Sequence, residues 1–257
     1  LGTLPVFLTA ISTILGAILF LRFGYAVGHT GFVGTIAIIV IGHIVTLPTA
    51  LAVAEIATNI KVEGGGAYYI ISRSFGLNIG AAIGIALFLS QAISVAFYVI
   101  AFVESLEPLA VYLGQEYGRT WWTDIMHNKS ALGYASMGLL TMLMLTKGAN
   151  IGIKALYVVV AVLITSLVMF FSGTTDLPFE EVDFFATTES PDAFFYVFTI
   201  IFPAFTGIAA GLGLSGDLKD PKKSIPRGTL WATIVAILIY IAVAFKLVIS
   251  VPLDDLA

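Results

Sequence analysis

Long apolar runs, each about the length that a helix needs to cross a bilayer, dominate this sequence. An α-helix rises about 1.5 Å per residue, so roughly 20 apolar residues span the hydrocarbon core. Lipid offers the backbone no hydrogen-bond partner, so an apolar run of this length must satisfy its own backbone as a helix. The sequence therefore predicts seven membrane-spanning helices, at residues 4–27, 31–55, 76–103, 130–147, 155–175, 193–216 and 228–252.

The composition favours a membrane protein and disfavours several other classes. The chain is 59% hydrophobic and 11% charged, with a mean hydropathy of +1.02, which is more apolar than a soluble domain. A net charge of −4 gives no basic field for a nucleic acid partner. The absence of cysteine excludes disulfide scaffolds and thiolate metal sites. We expect a protein that is not an enzyme, has no cofactor and lies in the lipid bilayer.

The basic residues of the predicted loops are distributed unequally between the two sides of the membrane. Basic loops favour the cytoplasm, so eight residues against three place the N-terminus in the cytoplasm. We expect the protein in a plasma or cell membrane. The eight are Lys61, Arg73, Lys147, Lys154, Lys219, Lys222, Lys223 and Arg227, and the three are Arg22, Arg119 and Lys129.

Two of the apolar runs are interrupted near their middle. Gly16 interrupts the first run, and Pro203 with Gly207 interrupts the sixth. Proline lacks an N–H and glycine relaxes the backbone, so both helices are predicted to break at mid-membrane depth. Paired interrupted spans indicate the ion or substrate site of a secondary transporter. The alternative at this point is that the two glycines serve only helix packing and that the proline only kinks its helix.

The predicted breaks offer groups that suit both kinds of ion. Half-helices that begin at Gly16 and Gly207 present amides carrying about +0.5 of a charge, which suits an anion. The candidate amides belong to Gly16, Ala17, Ile18, Gly207, Ile208 and Ala209. The half-helices that end at the breaks present carbonyls, which suit a cation. No acidic residue lies deep in a predicted span, so a carboxylate proton relay is unsupported.

Three side chains add neutral oxygens to the predicted site. They are Thr13, Tyr98 and Thr206. The alternatives are that the two threonines bond back to their own helices and that Tyr98 is an ordinary buried phenol.

The order of the spans predicts an internal repeat. Five predicted spans precede the second interrupted run, so the first and sixth spans correspond if the chain contains an inverted repeat. We therefore predict a first five-helix repeat at 1–175, an extracellular loop at 176–192, and the first two helices of the second repeat at 193–257. The chain then looks like part of a larger transporter.

Four segments resemble cation-chloride cotransporters, and the match covers most of the chain. Residues 57–76 read ATNIKVEGGGAYYIISRSFG, and residues 214–229 read LSGDLKDPKKSIPRGT. Residues 15–22 (LGAILFLR) and 202–211 (FPAFTGIAAG) match the broken first and sixth helices of that family. The resemblance implies the all-α inverted-repeat fold of the amino acid–polyamine–cation superfamily, with twelve helices and a homodimer in full-length members.

The resemblance also implies electroneutral symport of chloride with potassium, sodium or both. Carried over by position, it implies that chloride lies on the six amides named above. Potassium would meet the Ile14 and Pro203 carbonyls and the Tyr98 and Thr206 hydroxyls, with Thr13 where the family usually has asparagine. Ser12 and Leu15 are partial sodium candidates. Sodium-coupled members often have tryptophan at the position of Leu15, and their sodium site also needs an eighth helix.

Two other functions remain open at the level of the sequence. An amino-acid transporter of the same superfamily would bind a carboxylate at a glycine-rich break. Here the first break has only Gly16, crowded by Leu15 and Ile18, which favours a small ion. A passive channel would lack obligatory coupling and an inverted repeat.

Overall fold

The protein is helical, and no strand occurs among the residues that the structure describes. The computed structural model describes residues 1–59, 62, 65–118, 124–126, 128–147, 149–175, 178, 179 and 182–256. The main helices are α1 (Thr3–Ile14), α2 (Ala17–Asn59), α3 (Ala67–Phe75), α4 (Leu77–Ser105), α5 (Glu107–Tyr117), α6 (Lys129–Lys147), α7 (Ala149–Ser172), α8 (Phe194–Ile201) and α9 (Pro221–Val248). Shorter 3-10 helices lie at Phe202–Phe205, Ile208–Asp217 and Leu253–Asp255.

Five segments of the described chain are long and apolar enough to cross a membrane. They are Ala17–Asn59, Leu77–Glu116, Ala155–Ser172, Phe194–Asp217 and Pro221–Val248. The first two predicted spans are formed by α1 and α2, and the predicted run at 130–147 forms α6. The prediction of an all-α multi-pass membrane fold is confirmed.

The chain divides into two compact units. One consists of Leu1–Gly80 with Leu156–Ala257, and the other of Ala81–Ala155. In the first unit α1, α2, α8 and α9 pack around one apolar core, whose largest fully buried side chains include Phe23, Phe205 and Tyr240. In the second unit, Lys129 at the start of α6 forms an ion pair with Glu107 at the start of α5, with an N–O distance of 2.7 Å. The predicted repeats at 1–175 and 193–257 concern internal symmetry and stay a prediction.

Helix α2 contains two spans joined by a bend at Gly31. Gly31 has φ 64° and ψ 178°, a conformation that side-chain-bearing residues rarely adopt. A Cβ at this position would lie 2.6 Å from the Ala186 carbonyl oxygen. The segment before α8 therefore docks directly into the bend, where the Thr188 amide also donates to the Gly28 carbonyl at 2.9 Å.

A lysine within the predicted seventh span has a carbonyl partner. The Lys246 ammonium donates to the Gly173 carbonyl at 2.6 Å, just beyond the last residue of α7. The final carbonyls of a helix lack partners inside the helix, and a basic side chain satisfies them well. Lys246 on α9 thus caps α7.

Candidate ion-binding site

The first apolar run is broken between α1 and α2. Helix α1 ends at Ile14, Leu15 leaves the helical conformation with φ −79° and ψ 50°, and α2 begins at Ala17. The Leu15 amide still bonds to Ile11, whereas the Leu19 amide bonds to the Gly16 carbonyl at 3.1 Å. The break predicted near Thr13–Gly16 is confirmed.

The sixth run is broken more extensively. Helix α8 ends at Ile201 and continues as a 3-10 turn through Pro203, whose missing N–H prevents regular α-helical bonding. Thr206 is extended, Gly207 is left-handed with φ 97°, and a second 3-10 helix begins at Ile208. The break predicted near Pro203–Gly207 is confirmed, and the segment that follows it is a 3-10 helix.

The two breaks lie against each other within the first unit. A Cβ at Gly207 would lie 2.7 Å from Thr13 Cγ2 and 3.3 Å from the Thr13 carbonyl carbon. Only a residue without a side chain fits this approach, because such contacts are closer than van der Waals packing permits. The structure therefore brings the residues of both predicted half-sites together.

The predicted anion-binding amides lie at the starts of two helices. Ala17 and Ile18 open α2, while Ile208 and Ala209 open the 3-10 helix Ile208–Asp217. The first amides of a helix have no acceptor inside that helix and carry the positive end of its dipole. Gly16 and Gly207 directly precede these amides, and the Gly207 carbonyl accepts from the Ala210 amide at 2.9 Å.

The predicted cation ligands already make hydrogen bonds of their own. The Pro203 carbonyl accepts from the Thr206 amide at 3.2 Å and from the Thr206 hydroxyl at 2.7 Å. The Thr13 hydroxyl donates to the Thr9 carbonyl at 2.7 Å. Both threonines thus bond back to their own segments, which was the alternative interpretation of these side chains. A donating hydroxyl keeps its lone pairs, so both oxygens can still meet a cation.

The remaining predicted residues fall in two places. Ser12 donates to the Thr9 carbonyl at 3.1 Å, and the Leu15 side chain is buried. Tyr98 lies on α4 in the second unit, with 44% of its surface exposed. The roles predicted for these three residues stay predictions.

A buried tyrosine that the sequence analysis missed joins the two breaks. The Tyr240 hydroxyl on α9 lies 2.6 Å from the Ile14 carbonyl oxygen and 2.8 Å from the Ala204 carbonyl oxygen. A tyrosine at the middle of an apolar span was the available signal, because a buried phenol needs a hydrogen-bond partner. The sequence could not identify the two partners, which lie 226 and 36 residues away along the chain.

These features define a multi-pass helical membrane protein with two interrupted helices that meet. The amino acid permease family model matches residues 5–257, and the chain belongs to this family. It is 35% identical over 244 residues to solute carrier family 12 member 2 of Homo sapiens, covering 89% of this chain and 20% of that protein.

Two further relatives give the same result. Identity is 36% over 248 residues to solute carrier family 12 member 2 of Danio rerio, covering 90% of this chain and 21% of the relative. Identity is 34% over 245 residues to solute carrier family 12 member 1 of Mus musculus, covering 89% of this chain and 22% of the relative. The matches confirm, at the level of the family, the resemblance drawn from the loop motifs. The chain spans about a fifth of the length of the curated relatives that it matches.

Proposed function

We propose that this chain is the N-terminal part of the transmembrane domain of a secondary active symporter. The transporter moves chloride together with potassium, sodium or both, electroneutrally and by alternating access. The observation that carries the proposal is the contact between the two breaks at Gly207 and Thr13. This contact supports a compact site that offers amides to an anion and carbonyls to a cation.

The physical problem for such a protein is the cost of taking a bare charge out of water, which is tens of kcal/mol by simple Born estimates. Two ions of opposite sign that move together form a nearly neutral complex, which lowers this cost. Chloride binds at the helix-start amides of Gly16, Ala17 and Ile18, and at those of Gly207, Ile208 and Ala209. Potassium binds among the oxygens of Thr13, Ile14, Tyr98, Pro203 and Thr206.

The rest of the proposal follows from the relatives and the loop charges. The similarity to solute carrier family 12 proteins supports ion symport. The excess of basic residues on one set of loops supports a cytoplasmic N-terminus. We propose a plasma or cell membrane as its location. In its full length we propose that the protein is a homodimer, and that Ser12 and Leu15 contribute to a sodium site if sodium is carried.

A second candidate function is amino-acid transport. The observation that favours it is the match to the amino acid permease family model over residues 5–257. The same helix-start amides would bind a substrate carboxylate. The buried Leu15 side chain and the partly buried Ile18 beside the first break favour the smaller ion.

Flux in vesicles reconstituted with the full-length protein tests these alternatives. Uptake of rubidium, a potassium substitute, that requires external chloride and generates no current supports electroneutral symport. Alanine or leucine uptake without chloride would favour the amino-acid transporter. Rubidium and chloride fluxes that occur independently of each other would favour a channel.

A further inference from the structure

The Tyr240 hydroxyl lies between two carbonyl groups that end the interrupted segments. Ile14 is the last residue of α1, and Ala204 lies in the 3-10 turn that follows α8. Carbonyls at the end of a helix carry the negative end of its dipole. One phenol oxygen therefore contacts both of the segments whose carbonyl ends face the proposed cation site.

The packing around the ring fixes the position of this hydroxyl. Tyr240 is fully buried, and its ring centroid lies 5.2 Å from that of Phe23 and 5.2 Å from that of Phe205. Phe23 lies on α2 shortly after the first break, and Phe205 directly precedes Thr206 in the second. The phenol is thus supported by residues from both interrupted segments.

The number of protons sets a limit on these contacts. A phenol has one O–H, so it donates fully to one carbonyl at a time. The distances of 2.6 and 2.8 Å are both short, so the two carbonyl oxygens share this proton in a three-centre hydrogen bond or receive it one at a time. The carbonyl with the smaller share of the proton keeps more of its lone-pair charge, and that oxygen would suit a cation.

We propose that Tyr240 is a positioning residue for the cation site, and that its hydroxyl sets which cation the site prefers. It holds the Ile14 and Ala204 carbonyls close to each other, and it turns its proton toward Ala204 when a cation occupies the Ile14 carbonyl. The number, spacing and field strength of carbonyl dipoles determine selectivity among alkali cations. Without the hydroxyl, the two carbonyl ends separate and the preference weakens. This inference rests on the proposed function.

The test compares Tyr240→Phe with Tyr157→Phe in the full-length protein reconstituted in vesicles. Phenylalanine keeps the ring that packs between Phe23 and Phe205 and removes only the hydroxyl. Tyr157 lies on α7 with 46% of its surface exposed, so it serves as the matched control. We measure the half-saturating rubidium concentration at saturating chloride, the half-saturating chloride concentration at saturating rubidium, and competition by lithium, sodium and caesium.

We expect Tyr240→Phe to raise the half-saturating rubidium concentration about five- to tenfold, as expected for loss of one ordinary hydrogen bond that positions a ligand. Lithium, sodium and caesium should then compete with rubidium more equally than they do in the wild type. The half-saturating chloride concentration should change less than about twofold, and Tyr157→Phe should match the wild type. An unchanged rubidium dependence and competition series overturns the inference. Equal increases in the half-saturating concentrations of rubidium and chloride, together with a lower melting temperature, also overturn it, because they indicate a structural role only.

The wild-type protein separates this inference from the proposed function. Wild-type rubidium uptake that is independent of chloride contradicts symport. The Tyr240 inference is then still decided by the cation selectivity of the variant. Wild-type uptake that requires chloride, with an unaltered variant, contradicts only the role of Tyr240.

Discussion

Gly207 faces Thr13 so closely that a methyl group on Gly207 would lie 2.7 Å from Thr13 Cγ2. The backbone of Gly207 is also left-handed, with φ 97°, so a substitution there is strained as well as crowded. We expect Gly207→Ala to raise the half-saturating chloride concentration of uptake about tenfold, because strain of about 1–3 kcal/mol displaces the amides that follow it. Gly207→Val should be more severe, since a β-branched residue fits this conformation poorly.

Two variants control the Gly207 experiment. Gly213 lies in the same 3-10 helix with open space around it, so Gly213→Ala should leave chloride dependence near the wild-type value. Arg22 is exposed, so Arg22→Gln should lower chloride affinity far less than Gly207→Val does. If the Arg22 variant shows the larger loss, a side-chain charge binds the anion and the amide site is wrong.

Tyr98→Phe tests the cation ligand that the resemblance implies on α4. Removing an oxygen from the shell of a cation should raise the half-saturating potassium concentration about tenfold or more, with the protein still folded. Potassium-dependent chloride uptake measures this effect. Tyr134→Phe on α6, where the side chain is 81% exposed, is the control. Equal potassium dependence in both variants would make Tyr98 a packing residue.

The sequence predicted the features that depend on local chemistry. Apolar length located five of the seven predicted spans as described segments long and apolar enough to cross a membrane. Gly16, Pro203 and Gly207 located the breaks, because backbone freedom and a missing N–H are properties of single residues. The spacing of the spans also placed the boundary of the second span at residue 31, where Gly31 bends α2.

The features that the sequence did not predict depend on distant packing. The partners of Tyr240 and Lys246 lie in other segments of the chain, and no periodicity along α9 identifies them. The 3-10 form of Ile208–Asp217 also has no local signal, because propensity does not separate 3-10 from α-helical turns in an apolar run.

Gly31→Ala tests the joint between the first two spans. A Cβ would lie 2.6 Å from the Ala186 carbonyl oxygen, and φ of 64° is unfavourable for alanine. We expect a loss of stability of about 2 kcal/mol, measured as a lower melting temperature of the purified protein in detergent. The control is Gly24→Ala, whose Cβ would approach its nearest neighbour, Leu256, at an ordinary 3.5 Å. Equal melting temperatures for the two variants would contradict the docking of residues 182–193, the segment before α8, into the bend at Gly31.

The end of that segment is attached to α2 by a polar cluster formed by Tyr25, His29 and Asp192. The Tyr25 hydroxyl donates to the Asp192 carboxylate, and the Asp192 amide donates to His29 Nδ1 at 2.8 Å. The rings of Tyr25 and His29 also pack with centroids 4.2 Å apart. Asp192 directly precedes Ala193, the residue before α8, so the cluster fixes the start of the helix that leads to the second break.

We expect Asp192→Ala to lower the melting temperature at least as much as Tyr25→Phe, because both variants lose the charge-assisted hydrogen bond between Tyr25 and Asp192. Asp192→Ala also loses the contact of its carboxylate with His29 Nδ1 at 3.7 Å. That bond should contribute about 1 kcal/mol, because Asp192 is partly open to solvent. The double variant should lose no more than Asp192→Ala alone, because that change already removes the bond that Tyr25→Phe removes. Glu189→Ala, an exposed acidic residue of the same segment, is the control and should melt like the wild type. Additive losses in the double variant would mean that the two side chains act independently, and that the cluster does not hold the start of α8.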